Sequence, residues 1–256
     1  MTTLPAPKLP VLSIFFPMWN EEDYIRRTIN ATTLACQTLV DEGDIADYEL
    51  VIVNDASTDA TPVIADELAA ADSRIRVVHH PVNRKLGGSI KTGFAHATGD
   101  IVLYTDADLP FDLAEIKRAL RIMATYEADI IAAYRLDRTG EGPRRAVYSF
   151  VYNGLIAAAF GVRVRDVNFA FKLVRSRVLE HVQLRSEGSF VDAEFIVRAS
   201  RLGFRIVQIG VDYFPRTRGI STLSSPAVIR RIVREMSQLR GELKSVQPLD
   251  HSERPW

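Results

Sequence analysis

Asp106 and Asp108 stand two residues apart, directly after the apolar run 101–104. In an extended strand end, side chains two apart point to the same side, so both carboxylates would face one ligand. Two ionised carboxylates at close range repel each other unless a cation lies between them. Mg²⁺ or Mn²⁺ suits that position, because such ions bind carboxylates together with substrate phosphate oxygens. The pair predicts a divalent-metal site, although the same triplet is also found as a cap for a helix, here one starting near Leu113.

Polar segments also follow two other apolar runs. Pro-Met-Trp-Asn-Glu-Glu at 17–22 comes after the run 11–16, and Asn-Asp-Ala-Ser-Thr-Asp at 54–59 comes after the run 50–53. The carboxyl ends of parallel strands meet at one edge of a sheet, and ligands of open α/β sheets bind beyond that edge. The two segments and the aspartate pair are therefore predicted to face one ligand.

The hydrophobic pattern predicts the parallel sheet that these segments require. Apolar runs indicate strands over 11–16 (stopped by Pro17), 50–53, 75–78, 101–104 and 130–134. Helical patterns lie between them over 21–39, from a cap at Asp59 to about 68, and over 87–97 and 113–126. Strands this apolar, separated by helices, indicate a parallel sheet covered on both faces. The less regular second half predicts helices over 147–160 and 192–202, strands over 167–174 and 205–213, and a last helix from 225.

Composition and charge limit the class of protein. The 256 residues, 47% hydrophobic and 25% charged, suit one large α/β domain. Basic and acidic residues number 32 each, so no global field favours a nucleic-acid partner. The single cysteine, Cys36, forms no internal disulfide and indicates a reducing compartment. No apolar run approaches the roughly 20 residues of a membrane-spanning helix, and residues 1–10 lack the apolar core of a signal peptide.

Taken together, the segments 16–22, 53–59 and 106–109 resemble those of the family-2 inverting glycosyltransferases of the GT-A fold. Within these, the chain is most similar to the dolichyl- or polyprenyl-phosphate sugar synthases, over about residues 11–223. The resemblance implies a GT-A catalytic domain over 1–223, a mostly parallel sheet continuing into a mixed-sheet acceptor half. It leaves a C-terminal amphipathic helix and tail over 224–256.

The resemblance also implies roles for single residues. Asp55 would recognise the nucleobase, and Asp106 and Asp108 would hold the metal. The nucleotide-sugar site as a whole would comprise Pro17, Asn20, Glu21, Asp55, Lys85, Asp106 and Ala107. A lysine followed by glycines at a helix start suits an anion such as a diphosphate, although a solvated lysine in a turn is the alternative for Lys85.

Further segments resemble the sugar and acceptor regions of the family. They are 166–172, the segment 190–194 that would face the sugar, and the loop Arg216-x-x-Gly219-x-Ser221 that would close over the phosphates. The chain departs from the family pattern at three positions. Arg84 and Ala170 each replace a usual glycine, and Pro110 stands where the family can supply an additional metal ligand.

A phosphate acceptor would need cationic positioning rather than a base, because a phosphate monoester is already an anion at neutral pH. Arginines suit this task through bidentate contacts, and Arg145 and Ser149 lie four apart on one helix face. The acceptor-phosphate site is predicted to comprise Arg135, Arg145, Ser149 and Arg218, and the catalytic set Asp108, Arg216, Arg145 and Glu194. For Arg145 a solvated basic loop is the alternative.

Two helices are candidates for lipid contact. The helix 147–160 is apolar, and the last helix carries an apolar stripe from Val228 to Leu243 with arginines largely off it. A basic amphipathic helix can lie on anionic lipid. Packing of the stripe on the same chain or on a second subunit is the alternative.

The function predicted from these features is transfer of a hexose, mannose favoured, from a nucleoside-diphosphate sugar to a polyprenyl or dolichyl phosphate. GDP-mannose is the favoured donor and UDP-glucose the other candidate. The chain is expected at the cytoplasmic face of a membrane as a peripheral protein, with or without a membrane partner subunit. The alternatives are a hydroxyl acceptor with Asp192 or Glu194 as base, and a non-catalytic transferase-like subunit. A dinucleotide dehydrogenase is disfavoured because no Gly-x-Gly-x-x-Gly follows the first strand.

Overall fold

The computed structural model describes residues 8–137, 143–214 and 226–250, with side chains except those of 143–146 and 226–229. Seven strands are β1 Val11–Met18, β2 Asp47–Asn54, β3 Ile75–His79, β4 Ile101–Thr105, β5 Ile130–Arg135, β6 Phe171–Arg175 and β7 Ile206–Val211. Within these ranges five helices precede β6, namely α1 Ile25–Asp41, α2 Thr61–Ala71, α3 Lys85–His96, α4 Ala114–Thr125 and α5 Pro143–Phe160. The others are α6 Ser176–His181, α7 Val191–Leu202 and α8 Pro226–Ser245.

The strands form one sheet in the order β3-β2-β1-β4-β6-β5-β7. Of the described strands only β6 is antiparallel, against β4 on one side and β5 on the other. The predicted α/β class is confirmed, with a mostly parallel sheet that becomes mixed in its second half. Because β6 is reversed, its first residues lie at the same edge of the sheet as the last residues of β4.

The central strands are buried on both faces, which explains their largely apolar sequences. Phe15 and Phe16 are neighbours in β1 and are both fully buried. Phe16 packs in a cluster with apolar residues of α1 and α4. Phe15 lies on the other face, with ring centroids 5.0 Å from Phe94 of α3 and 5.4 Å from Tyr104 of β4.

Several element boundaries differ from the sequence-based expectation, among them the starts of β2 at Asp47 and α5 at Pro143. β1 continues through Pro17, because its pairing with β4 ends at Phe15 and a proline beyond that point removes no β4 hydrogen bond. α1 begins at Ile25 rather than at 21, because residues 20–22 are bound to the loop before α2. β6 begins at Phe171 rather than at 167, and the short helix α6 that follows it was not predicted.

The last helix, α8, packs on the same chain. Ile232 and Leu243 are buried in one cluster with Phe190 at the start of α7. The apolar stripe therefore has an intrachain partner, as one of the alternatives predicted, while Val233 stays 47% exposed. The predicted boundary at 223/224 lies outside the described residues. None of the helices in the described part of the chain has both the length and the apolar character needed to cross a bilayer.

Candidate functional site

The aspartate pair lies where predicted, just beyond the end of β4. The loop that carries it is held by the Thr28 hydroxyl of α1, which donates to the Ala107 carbonyl. The Leu109 amide donates to the Asp106 carbonyl at 3.3 Å, and Leu109 has φ +48°, so the chain turns sharply after Asp108. Asp106 and Asp108 are therefore carried by a short loop whose conformation is fixed by hydrogen bonds.

The loop before α4 is also packed from the side of β6. Phe111 lies with its ring centroid 4.6 Å from Phe171 and 6.3 Å from Phe169. Edge-to-face pairs of this kind add to the stabilisation that burial of the rings provides. The antiparallel strand β6 therefore supports the loop that carries the aspartates.

The loops after β1 and β2 are joined by hydrogen bonds. Asn20, with φ +57°, accepts the Thr58 amide at 2.8 Å through its side-chain oxygen. The Glu21 amide donates to the Thr61 hydroxyl at 2.8 Å, and the Glu22 carboxylate accepts the Ala60 amide at 2.8 Å. The structure thus brings two of the three predicted segments together. The Asn20 side-chain oxygen and the Glu21 backbone are engaged within the protein.

Asp55, at the end of β2, is buried and strongly bound. Its Oδ1 accepts the Arg84 amide at 2.7 Å and lies 2.7 Å from Nδ1 of His80. Its carbonyl accepts the Asn83 side chain at 3.0 Å. No motif in the sequence marked His80, because it is contributed by the segment after β3 rather than by a strand end near the aspartate pair.

Lys85 is exposed at the start of α3 with φ +63°. The glycines after it serve packing. The Gly87 amide donates to the Glu187 carbonyl at 3.0 Å, and a Cβ on Gly87 would overlap the Ser186 carbonyl. The Gly87 amide is therefore not available to an anion at this helix start. An anion bound there would instead contact the exposed Lys85 ammonium.

A buried ion pair lies at the same edge of the sheet. Lys172 of β6 and Asp192 of α7 are 2.8 Å apart, with side chains 2% and 4% exposed, and Lys172 also donates to the Phe169 carbonyl at 2.8 Å. Burial raises the pKa of Asp192 more than the Lys172 ammonium lowers it. The pKa of Tyr104 is also raised well above its usual value. Burial is the main cause, and the negative charges of Asp192, Asp106 and Asp108 raise the pKa further. These carboxylates and the buried ammonium therefore form one charged layer around the end of β4.

Arg135, predicted to bind the acceptor phosphate, is held inside the protein. Its Nε lies 3.3 Å from Asp166, and its guanidinium lies over the rings of Tyr213 at 4.8 Å and Phe169 at 5.2 Å. With 9% of its side chain exposed, the guanidinium is largely covered. This geometry favours a bracing role for Arg135 over the predicted phosphate contact.

Glu194, predicted to take part in catalysis, makes its contacts within the protein. Its carboxylate is fully buried, 2.8 Å from Nε of Arg198, and it accepts the amides of Arg185 at 2.9 Å and Ser186 at 2.7 Å. All of these bonds are structural, and they fix the segment that leads to Asp192. The sequence pattern placed Glu194 with Asp192, but on a helix the two residues point to different sides.

The remaining acceptor residues are only partly described. Ser149 lies half-buried in α5, with its hydroxyl 3.4 Å from the Asn153 side chain. Arg216, Arg218 and the side chain of Arg145 lie outside the described residues. Asn153 also donates to the Arg165 carbonyl at 3.0 Å and accepts the Val167 amide at 3.1 Å, which ties α5 to the segment containing Asp166.

The described residues include no group of three or more His, Cys, Asp or Glu side chains that would hold a metal on their own. Asp106 and Asp108 offer two hard oxygen donors beside one another in sequence. A divalent cation that takes its other ligands from phosphate oxygens fits such a pair.

Residues 13–183 match the family model described as Glycosyl transferase family 2. The chain is 33% identical over 210 residues to glycosyltransferase AglD of Haloferax volcanii, across 80% of this chain and 33% of that protein. It is 31% identical over 215 residues to an undecaprenyl-phosphate 4-deoxy-4-formamido-L-arabinose transferase of Edwardsiella ictaluri, across 82% and 62%. A dolichyl-phosphate beta-glucosyltransferase of Trichomonas vaginalis is 27% identical over 220 residues, across 82% and 68%. The chain thus spans a third to about two thirds of the length of these relatives.

Among solved structures, the fold is similar to that of glucosyl-3-phosphoglycerate synthase from Mycobacterium tuberculosis in complex with Mn²⁺ and UDP-glucose. The TM-score is 0.67 at 22% identity, over 94% of this chain and 81% of that one. The structural neighbours are glycosyltransferases of the GT-A fold, and the predicted fold is confirmed.

Proposed function

Since the chain belongs to glycosyl transferase family 2, we propose that it transfers a hexose from a nucleoside-diphosphate sugar to a polyprenyl phosphate. The observation that carries the proposal is a shared edge of the sheet, where the Asp106–Asp108 loop follows β4 and the joined loops follow the parallel neighbours β1 and β2. Two relatives that are named as transferases for undecaprenyl phosphate and dolichyl phosphate support the acceptor class.

In this proposal Asp106 and Asp108 would hold Mg²⁺ or Mn²⁺ beside the donor diphosphate. The bound ion would neutralise the charge that builds on the departing nucleoside diphosphate. The crystal complex of a GT-A neighbour with Mn²⁺ and UDP-glucose supports a divalent ion. The acceptor phosphate oxygen attacks the anomeric carbon from the side opposite the leaving group, so the new bond has inverted configuration.

The state of two acidic residues favours a phosphate acceptor over a hydroxyl acceptor. Transfer to a hydroxyl requires a base that takes its proton. Glu194 is bound to Arg198 and two amides, and Asp192 is bound to Lys172. Of the two carboxylates considered as the base, neither is positioned to accept a proton from a substrate. A phosphate oxyanion needs no such base.

The roles of Arg145, Arg216 and Arg218 as cationic contacts for the phosphates remain part of the proposal, as does the Ser149 hydroxyl. For Arg135 we propose a supporting role through Asp166.

Mannose is the sugar that the motif resemblance favours, whereas the names of the relatives specify glucose and a substituted arabinose. A screen of radiolabelled nucleotide sugars with a short polyprenyl phosphate tests the proposal directly. Absence of transfer to the phosphate from every donor, with transfer to a soluble alcohol, would overturn it.

The exposed face of α5 supports contact with a membrane surface, which we place at the cytoplasmic side. Phe150 is 80% exposed, and Val147, Val151 and Leu155 are also exposed on this helix. Residues 146–162 contain no charged side chain, and arginines flank them at 144, 145, 163 and 165. An apolar helix face with basic flanks suits insertion into an anionic interface. Asn153 joins the same helix to the Asp166 segment, so the lipid would arrive next to the site.

Replacing Phe150 with serine is expected to reduce binding to anionic vesicles about tenfold or more, because a buried phenylalanine side chain contributes about 1.5–3 kcal/mol. Sedimentation with phosphatidylcholine–phosphatidylglycerol vesicles measures this loss. Leu34→Ser is the matched control, since Leu34 is 71% exposed on α1. Equal loss in both variants, or no loss in Phe150→Ser, would contradict the proposed lipid contact.

A further inference from the structure

The two oxygens of the Asp55 carboxylate are not equivalent. Oδ1 lies 2.7 Å from Nδ1 of His80 and accepts the Arg84 amide at 2.7 Å. A carboxylate oxygen has two lone-pair sites in its plane, so these two donors saturate Oδ1. Oδ2 has no hydrogen bond within the described part of the chain, which leaves it as the oxygen that a ligand can bind.

His80 is itself held in place, so the orientation of the carboxylate is fixed. Its Nε2 lies 2.8 Å from the Thr92 hydroxyl of α3, and its backbone amide donates to the Asn54 carbonyl at 2.9 Å. The side chains of His80 and Asp55 are each 5% exposed. Rotation of the carboxylate would break both bonds to Oδ1 in a buried place, where an unpaired polar group is costly.

A single acceptor oxygen distinguishes between nucleobases. Uracil presents one ring N–H between two carbonyls, and one carboxylate oxygen satisfies it. Guanine presents a ring N–H beside an amino group, and this pair matches both oxygens of a carboxylate at once. Cytosine has a lone pair where uracil has the N–H, so a carboxylate oxygen repels it.

We propose that His80 is a positioning residue for donor recognition: it holds Oδ1 of Asp55, so that Oδ2 alone binds the base and selects uridine diphosphate over guanosine diphosphate. This inference rests on the proposed function and on the motif resemblance, which implies that Asp55 contacts the nucleobase. The donor would then carry a uracil nucleotide, in place of the guanine nucleotide that the motif resemblance favours.

Isothermal titration of the full chain with four nucleotides in the presence of Mn²⁺ tests the inference. The nucleotides are UDP, GDP, CDP and the UDP derivative methylated at N3 of the base. UDP is expected to bind about tenfold or more tightly than the other three, because each of them leaves a buried group unpaired or brings two acceptors together. GDP binding as tight as UDP binding would overturn this inference alone. Absence of binding by all four would overturn the proposed function with it.

Substitutions of His80 separate positioning from folding. His80→Leu removes one of the two donors to Oδ1 and is expected to bring the UDP-to-GDP affinity ratio close to one. His80→Asn keeps a side-chain N–H near the place of Nδ1 and is expected to retain the preference for UDP. His96→Gln, on the same helix as Thr92, is the control with an unchanged ratio, since the His96 ring bonds only to its own helix. An unchanged ratio in His80→Leu would overturn the role of His80.

Asp55→Asn provides a second test that does not depend on the stability of the His80 variants. The donors from His80 and Arg84 require an oxygen at the Oδ1 position, so the asparagine must place its NH₂ group where Oδ2 was. A donor there matches the lone pair of cytosine. We expect the variant to bind CDP more tightly than UDP, reversing the order of the unmodified chain. Retention of the original order would overturn recognition through Oδ2.

Discussion

Replacing Asp108 with asparagine is expected to lower kcat about a thousandfold, because the charge on the departing diphosphate then lacks its metal-mediated neutralisation. The fold is expected to persist, since the substitution lies in the loop after β4 and removes no buried apolar contact. Nucleotide binding measured with and without Mn²⁺ should lose most of its dependence on the ion.

The matched control for this variant is Asp112→Asn in the same loop. Asp112 is exposed, and its Oδ1 accepts the Ala114 amide at 2.9 Å, a contact that the asparagine oxygen retains. Its turnover and Mn²⁺ dependence should match those of the unmodified chain. A folded Asp108→Asn protein with normal turnover would remove the metal site from the mechanism.

Lys172→Met is expected to destabilise the protein by about 3–5 kcal/mol at neutral pH, because it leaves the buried Asp192 carboxylate without its counter-charge. The Phe169 carbonyl also loses a donor. Urea unfolding followed by circular dichroism measures the loss. Lys117→Met on the surface, where Lys117 contacts Glu42 and Asp44, serves as the control and is expected to change stability little.

The pH dependence of the Lys172→Met variant gives the sign of the effect. Burial already raises the folded-state pKa of Asp192, and removal of the ammonium raises it further. A carboxyl group with a raised folded-state pKa is compatible with folding while protonated, and it opposes folding once the pH passes its unfolded value of about 3.9. The deficit should therefore be small near pH 4 and grow as the pH rises. A deficit independent of pH, or no restoration by Asp192→Leu in the same chain, would assign the loss to packing.

The parts of the fold that were predictable are those encoded in contiguous residues. β1, β2 and β4 are buried on both faces, and their apolar runs are therefore visible in the sequence. The edge that carries Asp106 and Asp108 follows from the rule that the ends of parallel strands coincide. The direction of β6 was not predictable from its own sequence, because a short apolar strand reads alike in either orientation.

The roles of single charged side chains were less predictable, since these depend on partners distant in the chain. Glu194 was placed near the sugar by its neighbours in sequence, but its amide partners come from residues 185 and 186 in the segment before α7. Arg135 was placed at the acceptor phosphate, but Asp166 and the ring of Tyr213 cover it. His80 had no motif around it, and only its contact with Asp55 identifies it.

The position of α8 has a consequence for synthesis of the protein on the ribosome. Arg198 of α7 reaches Glu242 of α8 at 2.7 Å, and a Cβ on Gly188 would meet the Glu235 carboxylate at 2.6 Å. The segment that leads to Asp192 therefore depends on contacts with residues that are synthesised about 40 to 50 positions later. At the usual elongation rate of about 5–20 residues per second, this delay amounts to several seconds. During that interval the nascent chain has β6 and the segment that leads to Asp192, but it lacks the support of α8. Emergence of α8 from the exit tunnel is thus the event that completes these contacts.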